Sequence, residues 1–322
     1  MADQSFDLAI IGAGAAGLTA SIFASRYQLS NVVIGSLWGG EIANASIIEN
    51  YPGFDTITGA ELTQKLIAQV QKLGAEVRGG HVTSVAKNGD TFILQTDSGE
   101  IKAKTVLLSM GLRRRHLGVP GEDKLAGRGV SYCATCDAAF FKGKVTAVVG
   151  GGDAALTAAL HLAEVSPQVY MIVRADHFRG EPIWQAQVSG NNKIKILFQT
   201  EVSEIIGDQA VTGLKLTKPL DGQDQLDLEG VFVEIGSNPD ASLAQGLGVE
   251  IDQRGFVQVD ENMKTNVEGV YAAGDVTTAD AHFDQILSAA AQGGMAARSA
   301  FFYLGQSKMS ATPQEHKVAH VS

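Results

Sequence analysis

The chain has 322 residues, 45% of them hydrophobic and 19% charged, and a formal net charge of −10. At roughly 150 residues per domain, this predicts about two domains with cores of their own and excludes a disordered chain. The acidic balance excludes general affinity for nucleic acid or anionic membranes, and no apolar run reaches the roughly 20 residues of a membrane span.

The start, Met1-Ala2-Asp3-Gln4, lacks the basic end of a signal peptide, so a cytoplasmic protein is expected. Leu8 to Ile11 is a short apolar run, predicted as a buried parallel strand. Gly12-Ala13-Gly14-Ala15-Ala16-Gly17 follows, then a helix to about Arg26 and a strand from Asn31 to Ile34. A G-x-G-x-x-G run in this strand–turn–helix–strand setting points to a dinucleotide site. Gly12 permits the tight turn, Gly14 lets a pyrophosphate reach the helix N-terminus, and Gly17 lets helix and strand pack closely. Taken alone, the run leaves open a glycine-rich turn without a ligand. The second strand ends Ile34-Gly35-Ser36, with no acid for ribose hydroxyls.

Thr91–Thr96 and Ile101–Ser109 are predicted strands around the turn Asp97-Ser98-Gly99. Cys133 and Cys136 are the chain's two cysteines, spaced C-x-x-C. In a reducing compartment that spacing reads as a redox pair; it is half of what a zinc site needs, so no metal is expected. A second nucleotide-type unit follows. Val145–Val149 is a strand, Gly150-Gly151-Gly152-Asp153-Ala154-Ala155 matches G-x-G-x-x-A, a helix runs to about Glu164, and a strand spans Val169–Val173. Two such units predict an α/β fold with two dinucleotide-binding, Rossmann-like, three-layer domains. Val231–Ile235 and Gly269–Asp275 read as strands ending in turns, and a helix rich in small residues runs from about Gln285 to Leu304. Ser307–Ser322 reads as a polar tail holding His316 and His320.

Cys133-Ala134-Thr135-Cys136-Asp137, placed between two dinucleotide turns, resembles the low-molecular-weight thioredoxin reductases, and the match runs to about residue 305. Gly12, Gly14, Ala15, Ala16 and Gly17 are similar to that family's FAD fingerprint. Gly39-Gly40-Glu41 and Glu49-Asn50-Tyr51-Pro52-Gly53 fit its flavin-side loops. Ser109-Met110-Gly111 stands where the family has Ala-Thr-Gly, Gly274-Asp275 fits the turn at the FAD ribitol, and Gln285 with Ile286 fits the helix start near the flavin. The resemblance implies FAD, a homodimer and a thioredoxin-like partner. It implies an FAD domain over 1–116 and 244–322, with a second domain inserted at 117–243 and the tail from about 307. It assigns Cys136 to the flavin side, Cys133 to attack on the partner disulfide and Asp137 to acid–base work.

The electron donor departs from the pattern. Where NADPH-dependent members carry His-Arg-Arg-x-x-x-Arg, this chain has Val173-Arg174-Ala175-Asp176-His177-Phe178-Arg179, keeping Arg174 and Arg179. The family's Glu after the second glycine turn is Thr157, and its Arg-Gln-Ala is Asp284-Gln285-Ile286. These changes resemble the subset, found in cyanobacteria and anaerobes, that takes electrons from ferredoxin or a second flavin. Gly150, Gly152, Asp153 and Ala154 are then candidates to hold a second FAD or a nicotinamide dinucleotide, or they form a turn that only packs. Arg113-Arg114-Arg115-His116 is either a ferredoxin-steering patch or a solvated linker face. His316 and His320 either stack on the flavin or belong to a loose terminus. The expectation is a disulfide oxidoreductase independent of NADPH. An NADPH-dependent reductase with a weakened 2′-phosphate site and an oxygen-dependent dithiol oxidase are the alternative enzymes, and a flavin redox sensor without turnover is the non-enzyme reading.

Overall fold

In the computed structural model, residues 5–45, 47–279 and 283–311 are described. The chain forms two compact units: one runs to Leu112 and resumes at Pro239, and the other is Arg113–Asn238.

The first unit opens with β1 (Ser5–Ile11), α1 (Ala15–Arg26) and β2 (Asn31–Ile34), followed by α2 (Gly59–Lys72) and β3 (Glu76–Arg78). Next come β4 (Val82–Asn88), β5 (Thr91–Thr96), β6 (Gly99–Leu108) and the crossing strand β7 (Leu112–Arg114). The second unit holds α3 (Glu122–Leu125), β8 (Val130–Ser131), α4 (Ala134–Asp137), β9 (Thr146–Val149), α5 (Asp153–Val165), β10 (Val169–Val173), α6 (Pro182–Gly190) and β11 (Ile194–Phe198). It continues through β12 (Val202–Gly207), β13 (Val211–Leu220), β14 (Gln223–Asp227) and β15 (Gly230–Val233) to the return strand β16 (Ser237–Pro239), which pairs with β7. The chain closes with α7 (Ser242–Gly246), β17 (Val270–Ala272) and α8 (Ile286–Ala311).

The first sheet has the order β3-β2-β1-β6-β5-β4. Its β3, β2, β1 and β6 are parallel, and β4 and β5 pair antiparallel with their neighbours. β6 is long enough to pair with β5 along its first half and, in parallel, with β17 along its second. The second unit's main sheet, β11-β10-β9-β15-β8, is all parallel. A separate antiparallel sheet, β12-β13-β14, lies within the same unit. β1, β2, β9 and β10 are apolar runs without alternation because helices or loops cover both faces of a parallel sheet; Leu8, Ile10, Val33, Val148 and Met171 are all buried.

The α/β reading with two Rossmann-like sheets holds. The last helix is longer than expected and continues to Ala311. Gly305 lowers the helix propensity of this stretch without breaking the helix, as an isolated glycine can. No described helix is long and apolar enough to cross a membrane.

Candidate active site

The two glycine turns repeat one design. Gly12 has φ +114° and Gly150 has φ +145°. A Cβ on either would collide with a backbone carbonyl beyond the end of a neighbouring strand, Ser109 O for Gly12 and Glu234 O for Gly150. Glycine is therefore required at both places by backbone shape and by space.

Around the first turn, four separated segments converge within unit 1. The Gly39 N–H donates to Ala13 O at 2.8 Å, and a Cβ on Gly40 would lie 3.1 Å from Gly14 Cα. The Gly39–Gly40 segment thus rests on the first glycine turn. Ser109 donates through its hydroxyl to Ile11 O at 2.9 Å. Gly274 approaches Ala16, its N–H held by the buried Gln292 side chain at 2.7 Å. Asn50 donates to the Gln285 side-chain oxygen at 3.0 Å, joining two predicted flavin residues 235 positions apart. Glu41 accepts from Asn44 at 3.2 Å, and Gly111 takes a left-handed conformation after Met110. Asp275 and Ile286 sit at the turn after β17 and at the first position of α8.

α1 is capped by Gly14 with no side-chain bond and has no acid in its first turn. Its first N–H groups have no acceptor within the helix, and Gly14 leaves room in front of them that a side chain would fill, whereas a side chain on Gly39 would collide with Thr63. Behind Gly39, Thr63 has a buried hydroxyl with no partner among the described residues. These features fit an FAD pyrophosphate. Gly35 explains the missing ribose acid: a Cβ there would fall 2.8 Å from both the nitrogen and the Cβ of Ala13.

The second turn is occupied differently. Asp153 opens α5, and its carboxylate accepts the Glu181 N–H at 2.5 Å. Arg179 donates its N–H to Gly151 O at 2.7 Å. The loop after β10 is thereby latched to the glycine turn. Val173 is buried against Gly151. Arg174, Arg179 and Ala154 are exposed, and Gly152 is half-buried. The extra histidine of this loop, His177, is engaged with Asp176 at 2.6 Å; that partner and its own backbone hold the Asp176 carboxyl below the usual aspartate range.

Cys133 and Cys136 form a disulfide. Cys133 caps the short α4, and its sulfur accepts the Cys136 N–H at 3.2 Å. Cys136 is exposed, while Cys133 and Asp137 are half-buried. Sequence reasoning missed Ser131. Its buried hydroxyl donates to Asp137 Oδ2 at 2.7 Å and accepts the Cys133 N–H at 3.0 Å. A serine two residues before the pair, ending a strand, was the available signal. Tyr132 is tied on its other side, its hydroxyl donating to the buried Glu122 at 2.9 Å. Burial, reinforced by Glu122, keeps that phenol protonated well beyond the usual tyrosine range. In the basic run, Arg114 lies 3.5 Å from Glu234 and Arg115 donates to Asn238 at 2.7 Å. His316 and His320 lie outside the described residues.

The sequence profile of the pyridine nucleotide-disulphide oxidoreductases matches residues 6–293. The thioredoxin reductase of Bacillus subtilis is 37% identical over 305 residues, covering 94% of this chain and 96% of its own. The chain belongs to the thioredoxin reductase family. The Lactococcus lactis thioredoxin reductase structure superposes with a TM-score of 0.88 at 34% identity, covering 94% of this chain and 99% of that one. A ferredoxin-flavin thioredoxin reductase from Clostridium acetobutylicum is 33% identical with a TM-score of 0.51, covering 94% and 99%. Membership makes the chain a flavin disulfide oxidoreductase of thioredoxin reductase type and implies FAD as its cofactor.

Proposed function

We propose that this enzyme takes electrons from a donor other than NADPH, with ferredoxin the expected donor, and delivers them through Cys136 and Cys133 to the disulfide of a thioredoxin-like protein. The observation that carries the donor reading is the end of β10. A 2′-phosphate needs several charge-assisted donors, each worth about 1.5–3 kcal/mol. Here Val173 and Ala175 supply none, and Asp176 adds a negative charge that also engages His177. The likeness to a ferredoxin-flavin enzyme supports the same reading. The NADPH-dependent alternative is favoured by the retained Gly150–Ala155 turn and by the exposed Arg174 and Arg179.

Bound FAD supplies a two-electron reductant for the disulfide. The residues proposed for the flavin side are Gly12, Gly14, Ala15, Ala16, Gly17, Gly39, Gly40, Glu41, Asn50, Gly111, Gly274, Asp275, Gln285 and Ile286. Once the pair is a dithiol, the Cys136 N–H stabilises a thiolate on Cys133. That thiolate attacks one sulfur of the partner's disulfide, and the other partner sulfur leaves as a thiolate and takes a proton from solvent. Cys136 gives its proton to Asp137 and attacks Cys133 Sγ. The bond between Cys133 and the partner breaks, the partner sulfur keeps the electron pair, and Asp137 returns the proton to it. The enzyme ends as a disulfide and the partner as a dithiol.

An anaerobic titration of the visible flavin band tests the donor. We expect no bleaching by NADPH or NADH and full bleaching by photoreduced ferredoxin. Rapid stoichiometric bleaching by NADPH would overturn this reading in favour of the ordinary reductase.

A further inference from the structure

We propose that Ser131 is a positioning residue for the proton transfer, holding the Asp137 carboxylate against the redox pair. The inference rests on the dithiol–disulfide chemistry above and is independent of the donor.

Ser131 ends β8 and is 4% exposed. It stands opposite Phe232 of β15 in the parallel ladder, so the sheet fixes its hydroxyl. That oxygen uses its proton and a lone pair at once, donating to Asp137 Oδ2 at 2.7 Å and accepting from the Cys133 N–H at 3.0 Å. The same hydroxyl lies 3.3 Å from Cys133 O, a longer contact that cannot share the one proton equally with the carboxylate. The Asp137 N–H also donates to Cys133 O at 3.2 Å. One side chain therefore ties both ends of the Cys133–Asp137 turn to the sheet.

The consequence concerns one carboxylate oxygen. Oδ2 is taken up by the serine, which leaves Oδ1 to accept the Cys136 proton and pass it to the departing partner sulfur. A carboxylate already turned to its task avoids the loss that misorientation brings to proton transfer. Without the hydroxyl, no hydrogen bond among the described residues ties the Asp137 carboxylate to the sheet and fixes its turn.

The test uses the full-length FAD-loaded protein, reduced anaerobically with dithionite so that no natural donor is needed. Stopped-flow mixing with oxidised thioredoxin then gives the rate of disulfide exchange against pH. In Ser131→Ala we expect a roughly 10-fold slower exchange at neutral pH. Ser131→Thr, which keeps the hydroxyl, should restore the rate, Ser131→Val should not, and Ser131→Ala/Asp137→Asn should be no slower than Asp137→Asn. Should the alanine variant not fold, Ser131→Thr against its isostere Ser131→Val makes the same comparison. A wild-type rate in Ser131→Ala, equal behaviour of Thr and Val, or multiplying losses in the double variant would each overturn the proposal. A wild-type enzyme inert toward thioredoxin but reactive with hydroxyethyl disulfide would refute the partner and not Ser131, whose effect is then read with the small disulfide.

Discussion

Asp7 on β1 ties its strand to β6 and to the residue that precedes β2 through one carboxylate. It accepts from the Ser30 N–H and hydroxyl, each at 3.0 Å, and from Lys104 at 2.8 Å. Burial pushes its pKa up, but the bonds from Lys104 and Ser30 outweigh that and hold it below the usual aspartate range. A carboxyl with a lowered folded pKa binds protons more readily when unfolded. Its stabilisation is complete above the ordinary value of about 3.9 and fades as pH falls through the lowered one. We expect Asp7→Asn to melt lower than wild type by a constant margin from neutrality to about pH 5, with the margin closing below about pH 4. Melting curves across that range check it, and a margin unchanged in acid would refute the assignment. Such residues are legible only in part. The glycines at 12 and 150 stand out because backbone shape leaves no other choice. Asp7 and Ser131 do not, because their partners lie on other elements or across a turn. Gly35 reads in the sequence as a missing acid, and only the packing against Ala13 shows why none is there.

α2 shows how a whole element can be overlooked. Thr58-x-x-Glu61, just past the loops at 39–53, is a helix start signal in the sequence. Thr58 accepts from the Glu61 N–H at 3.2 Å, and the Glu61 carboxylate accepts the Thr58 N–H at 3.2 Å. The helix then buries Leu62, Ile67 and Val70 at helical spacing. Thr58→Ala should cost about 1 kcal/mol of stability, read from urea denaturation. No loss would mean that the buried face alone sets the helix. The parallel strands were readable because unbroken apolar runs beside glycine turns have few other uses. The β12-β13-β14 sheet was not, since its strands carry polar residues and register irregularities that blur alternation.

At the scale of the molecule, the four hydrophobic clusters among the described residues divide cleanly. Two draw only on residues of the first unit and two only on Arg113–Asn238. A unit with its own buried core needs no neighbour to fold. The fragment Arg113–Asn238, made alone, should therefore unfold in urea in one cooperative transition. A gradual, non-cooperative loss of structure would show that its core depends on the rest of the chain.

The pairing of β7 with β16 has a consequence for the gene. The inserted stretch leaves and rejoins the surrounding chain side by side, so to its host it is no more than a single surface loop. Bridging a gap that is already closed costs little chain entropy, whatever hangs from it. The redox cassette could be cut out, exchanged or acquired in one event without rewiring the strands on either side. Evolution could then revise which disulfide is served, and from which reductant, while the module around the first turn is inherited whole.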